Sequence, residues 1–145
     1  MAFTGHLLYM QDIGSNPVTY TEIPMDKIRY ETYSITPNQR MDLDTGLRDL
    51  TGVMHRNVVS HTATKIEFET VLMKNSELDV LMKSIRDHWL VWLERDVNLR
   101  YYDPENDVYK SGHFYMPDIQ FVMRNVDSTN SKINYTQVRF AFIEY

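Results

Sequence analysis

The sequence predicts an α+β fold, mostly antiparallel β, built as a two-layer β-sandwich or partly closed barrel with one flanking amphipathic helix at about residues 75–93. Three observations carry this. Residues 65–72 alternate cleanly, with Ile66, Phe68, Thr70 and Leu72 on one face, the period of a half-buried strand. Leu78, Leu81, Met82, Ile85, Trp89 and Trp92 or Leu93 recur at spacings of three and four, one apolar stripe along about four helical turns. Short segments with strand character, separated by turn residues, fill the rest of the chain.

The elements follow in order. Leu7 to Met10 and Val18 to Tyr20 flank Gly14-Ser15-Asn16-Pro17, a turn signal, so residues 1–24 are expected as short edge strands or as an N-terminal arm. Ile28 to Thr36 reads as a half-buried strand closed by Pro37-Asn38. Residues 39–51 carry five charges without a sustained period and are expected as a loop, after which 52–59 lead into the strand at 65–72. Asn75 or Ser76 suits the helix N-cap, and Glu77 and Asp79 place negative charge where the helix dipole favours it. Beyond the helix, Leu99 to Tyr102 and Val108 to Tyr115 flank the turn Asp103-Pro104-Glu105-Asn106-Asp107 and predict a hairpin. Ile119 to Val126 and Ile133 to Tyr145 complete the strands. The last is apolar on both faces, as expected between two packed layers or against a neighbouring subunit.

At 145 residues the chain fits one domain, 1–145. Hydrophobic residues make up 43% and charged residues 24%, a globular balance that argues against disorder. No apolar run approaches the roughly 18–20 residues of a membrane span. Residues 1–10 hold no Lys or Arg and no small-residue cleavage site, so no signal peptide is expected and synthesis in the cytoplasm is the default. Cysteine is absent, which excludes disulfides and thiolate metal sites. The net charge is −5 and Lys and Arg do not cluster, against a free-standing nucleic-acid binder. Ten Tyr and nine Met are rich in the residue types that fill interface centres, although strands also favour Tyr.

No catalytic, metal or cofactor site emerges. His6, His55, His61, His88 and His113 lack the spacing of a helical zinc site. Asp42-Leu43-Asp44-Thr45-Gly46 opens like a calcium loop but lacks the closing Glu in register, and no Gly-x-Ser-x-Gly elbow or Gly-rich phosphate loop occurs. Asp42, Asp44, Arg48, Gly52 and Arg56 form a charged segment ending in a Gly and an Arg. The Gly suits a bulge or positive φ, and the arginines suit bidentate carboxylate contacts within or between chains. From spacing alone, a solvated loop with scattered ion pairs is the better account of them.

These same residues, with Lys65-Ile66-Glu67-Phe68, the helix from Ser76, and Ile133-Asn134-Tyr135 through Phe140-Ala141-Phe142-Ile143-Glu144-Tyr145, resemble small tail-associated structural proteins of phages and prophages of Gram-positive bacteria. The resemblance spans roughly residues 38–145. It implies a tail-tube-like fold whose copies form a ring, hexameric, by sheet-to-sheet pairing, alongside other tail proteins of tube, terminator, distal-tail or baseplate-hub type. It further implies a non-enzymatic virion component, with DNA only as cargo passing an acidic lumen. In that picture Asp42, Asp44, Arg48, Gly52, Arg56, Tyr101, Tyr102, Phe140, Phe142 and Tyr145 are the subunit-interface candidates. The alternative expectation is a monomeric ligand-binding β-sandwich of carbohydrate type, with Tyr and Trp as stacking platforms.

Overall fold

The computed structural model describes residues 2–42, 47–55 and 58–145. Its strands are β1 (Leu8–Gln11), β2 (Tyr20–Glu22), β3 (Ser34–Asp42), β4 (Leu47–Arg48), β5 (Met54–His55), β6 (Val58–Glu69), β7 (Met73–Lys74), β8 (Asp96–Asp103), β9 (Val108–Tyr115), β10 (Met123–Asp127), β11 (Lys132–Tyr135) and β12 (Arg139–Glu144), with helix α1 (Asn75–Asp87) between β7 and β8. Seven strands form one antiparallel sheet in the order β2-β1-β8-β9-β12-β6-β3. A second sheet runs β10-β11-β7, and β4 pairs with β5 in a two-stranded sheet. Among the described residues the architecture is thus α+β and sandwich-like, with two main sheets, one helix and no closed barrel.

Alternation decides which face is buried. Ile35, Ile66 and Phe142 form one transverse row, and Phe68 and Phe140 the next. Leu8 and Met10 on β1 and Val97, Leu99 and Tyr101 on β8 continue the same face. Leu78, Leu81 and Ile85 of α1 pack on this layer, with Met73 and Met116 filling between. Phe68 lies 5.6 Å from Phe140 and 6.4 Å from Phe142, ring centre to ring centre. The sheet is strongly curled: Asn38 on edge strand β3 hydrogen-bonds Asp103 on β8, four strands away in the order. In a flat sheet four strand spacings would separate them by about 19 Å.

Several expectations change. The helix ends at Asp87 rather than near residue 93. His88 closes it by donating Nδ1–H to the Ser84 carbonyl, 2.6 Å, while Asp96 takes the Val91 amide at 2.8 Å and folds the chain back. Trp92 and Leu93 therefore leave the stripe and stand 69% and 85% exposed. The N-cap is Lys74, not Asn75 or Ser76, because β7 pairs with β11 through Lys74 and keeps the chain extended to that point. Residues 28–36 hold a single bridge from Ile28 to Thr70 and a 3₁₀ turn at Tyr30–Thr32 before β3 begins at Ser34. Pro37-Asn38 does not end that strand. Asn38 adopts φ 52° in a bulge, and β3 resumes to Asp42, into the stretch expected as loop. A proline without an N–H is tolerated there because β3 is an edge strand. Of 119–126 only the part from Met123 is a strand, and 133–145 divides into β11 and β12 in different sheets.

Candidate functional site

The arrangement of exposed groups depends on the two ends of the large sheet. The β8–β9 turn and the β3–β6 connection share one end, where Arg40 pairs with Glu105 at 3.1 Å. The 88–95 turn, which feeds the start of β8, and residues 116–118, which leave β9, lie at the other.

At the first end β4 and β5 form a small hairpin closed by residues 49–53. Asp49 accepts hydrogen bonds from the Thr51 and Val53 amides at 2.9 and 3.0 Å, and Arg48 donates to the Gly52 carbonyl at 2.8 Å. Gly52 sits at φ +86°, a conformation that a side chain would strain. Three apolar residues of the hairpin turn outward: Leu50 is fully exposed, and Val53 and Met54 are about half exposed. Of the charged candidates, Arg48 and Gly52 come together here and Asp42 pairs with Val58 at the end of β3. Asp44 and Arg56 lie outside the described residues.

The base of this extension is a buried polar network. Asp103 is wholly buried and accepts from Asn38 Nδ2 (3.0 Å), Asn106 Nδ2 (3.0 Å), the Glu105 amide (2.9 Å) and Lys110 Nζ (3.1 Å). Burial pushes its carboxyl up, but the bonds from Asn106, Asn38 and Lys110 outweigh this and hold it at about 2. Thr64 joins the network by accepting from the Asn38 amide at 3.2 Å and meeting the Tyr101 hydroxyl at 3.1 Å. Nothing in the sequence linked Asn38 to Asp103; only the curl of the sheet brings them together.

The opposite end presents Trp92 and Leu93 beside Met116, Pro117, Arg95 and Asp118 around an open groove of about 550 Å³. Arg95 pairs with Asp118 at 2.7 Å on its rim. Here too the β1–β2 connection is fixed to the helix: Asp12 accepts from Thr19 and Thr21, both at 2.6 Å, and lies 2.8 Å from His88 Nε2. Those bonds hold its carboxyl at about 2.

The aromatic candidates divide. Tyr101, Phe140 and Phe142 face the chain's own interior, and the Tyr101 ring meets Phe114 edge-on at 5.5 Å. Tyr102 is on the outer face, donating to Asp107 at 2.6 Å, and Tyr145 stacks on His113 at 4.6 Å while half exposed. His113 also meets the buried Asp96 at 2.7 Å, and His6 meets Glu22 at 2.8 Å. Among the described residues His6, His61, His88 and His113 hydrogen-bond carboxylates or backbone carbonyls and no hydroxyl. No cluster of three His, Asp or Glu side chains that could hold a metal occurs among them either. No described helix is long and apolar enough to cross a membrane.

Over 99% of its length the chain is similar to 95% of one chain in a solved structure of the tail of an empty GTA particle, computed with helical refinement and C6 symmetry, at TM-score 0.53 and 17% identity. At that identity the likeness is one of fold. The family follows: residues 1–145 match the model described as Family of unknown function (DUF6711), and the chain belongs to that family. No curated protein matches.

Proposed function

We propose that this chain is a non-enzymatic structural subunit of a phage tail or phage-like tail apparatus, assembling with copies of itself into a ring, hexameric, and with other tail proteins. The observation that carries the reading is the fold likeness, nearly end to end in both chains, to a component of a C6-symmetric particle tail. The distribution of apolar surface supports it. Leu50, Val53 and Met54 project from one end of the sheet, and Trp92 and Leu93 from the other. Exposed apolar groups at opposite ends suit a head-to-tail contact, which stacks copies rather than closing a dimer. The outer edges of the large sheet, β2 and β3, suit lateral pairing around a ring. Its place in a virion tail, as tube, terminator, distal-tail or hub component, belongs to this proposal, as does an interface role for Arg48, Gly52, Tyr102 and Tyr145.

The test is mass and shape in solution, by light scattering with negative-stain imaging across a concentration series, alone and with candidate tail partners. Rings, tubes or stacked discs are expected. A compact monomer under all of these conditions would overturn the reading.

A further inference from the structure

On the outer face of the large sheet, away from both ends, Arg100 stands in a half-open cavity of about 230 Å³ lined by Thr4, Tyr9, Tyr20 and Tyr109. The register explains the grouping. Arg100 lies between the buried Leu99 and Tyr101, so alternation turns it outward, and β1 sets Tyr9 directly opposite. Its guanidinium carbon is 5.7 Å from the Tyr20 ring centre and 5.5 Å from that of Tyr109. Those rings come from β2 and β9, strands on the two flanks of β8, so the charged head is gripped from both sides. Tyr109 is itself fixed, donating to the His6 carbonyl at 2.6 Å.

Among the described residues no carboxylate forms an ion pair with Arg100. Glu22, the acid on the same transverse row, is two strands away and held by His6 Nδ1 at 2.8 Å. Among the described residues Arg40 pairs with Glu105, Lys83 with Asp87 and Arg139 with Glu67, whereas exposed Lys74, Arg86, Arg124 and Lys132 form no ion pair; what sets Arg100 apart from these is its seat between two tyrosine rings in a cavity. In a chain of net charge −5, an unpaired arginine fixed between tyrosine faces is an acceptor-seeking fork held ready for a planar anion.

We infer that the Arg100 cavity is a carboxylate-binding site, in which the guanidinium grips both oxygens and the Tyr9 and Tyr20 hydroxyls border the ligand. The carboxylate comes either from an acidic side chain of a neighbouring copy or from a free small acid. The site stands apart from the tail reading, since it is read on the isolated chain.

The experiment titrates the intact protein with sodium acetate against sodium chloride at equal ionic strength, following the tyrosine ring resonances by NMR. Saturable shifts at Tyr9, Tyr20 and Tyr109 are expected, with affinity falling about tenfold or more in Arg100→Gln, the loss of a charge-assisted fork. Arg100→Lys, which keeps the charge and loses the fork, is expected to fall between the two. Thermal melts matching the native protein establish that both variants are folded. No saturable shift, equal binding by Arg100→Gln, or tighter binding of inorganic phosphate than of acetate would overturn the assignment. Given acetate binding, weakened assembly of Arg100→Gln identifies the neighbour's side chain as the source, and unchanged assembly identifies a free acid.

Discussion

Replacing Asp103 by Asn tests the network at the base of the β3–β6 extension. The native carboxylate is wholly buried and receives four donors, one of them a lysine ammonium. Asparagine keeps one acceptor oxygen and sets an NH₂ against donors from Asn38, Asn106 or Lys110. Breaking a buried ion pair by neutralising one partner costs about 3–5 kcal/mol. Lys110 is 35% exposed and keeps a 2.9 Å bond to Asn38 Oδ1, so the lower limit applies, about 3 kcal/mol. For a chain of this size that corresponds to a fall in Tm of roughly 6–12 °C.

The acid limb gives a second readout. The Asp103 carboxyl is held at about 2, below its value in the unfolded chain. Its contribution is therefore present above the unfolded value, near 3.9, and is lost as pH falls from there towards 2. Asp103→Asn is expected to flatten that part of the profile. Urea unfolding followed by tryptophan fluorescence at pH 7 and again near pH 3 measures both effects. A loss at pH 7 below about 0.5 kcal/mol, the range of inert surface changes, would refute the reasoning.

Other substitutions separate core, clamp and assembly surface. The Tyr33 hydroxyl is buried without a hydrogen-bond partner among the described residues, and burial pushes its ionisation well up; its ring stacks on Phe68 at 6.1 Å. Tyr33→Phe is expected to raise stability by up to about 1 kcal/mol in the same urea assay, because an unpaired buried hydroxyl is removed while the ring stays. Phe140→Ala, which removes a fully buried ring packed on Phe68, is expected to cost about 3–5 kcal/mol by the same measure. Asp12→Asn is expected to weaken stability above about pH 4 and to lose its effect as pH falls towards 2, since the native carboxylate is the hydrogen-bonded form. Thermal melts across that range follow it. Trp92→Ser combined with Leu93→Ser is expected to leave stability within about 0.5 kcal/mol and to reduce light-scattering mass, since both side chains are exposed.

The sequence by itself determined the local elements wherever period and turn chemistry agree. Alternation at 65–72 placed Ile66, Phe68 and Thr70 in the core, although β6 ends at Glu69 and Leu72 stands half exposed, and the Leu78-Leu81-Ile85 spacing placed the helix against that core. Asp103 to Asp107 set the β8–β9 turn, because turn residues act within four or five positions. What the tertiary structure alone decided depends on partners far along the chain. The helix stripe ran on to Trp92 and Leu93 in sequence, but the His88 ring closed the helix on the Ser84 carbonyl and the Asp96 carboxylate captured the Val91 amide and turned the chain back. Pro37-Asn38 looked like a strand end, but an edge position tolerates a bulge, so β3 continued. Residues 133–145 read as one strand, yet the Thr136 amide bonds the Val122 carbonyl and the Val138 amide bonds Thr70 Oγ1, which divides the segment between two sheets. The Arg100 cavity joins residues from the N-terminal segment and from β1, β2, β8 and β9. Alternation could turn each of those side chains outward; only strand order could bring Tyr20 and Tyr109 to the same guanidinium.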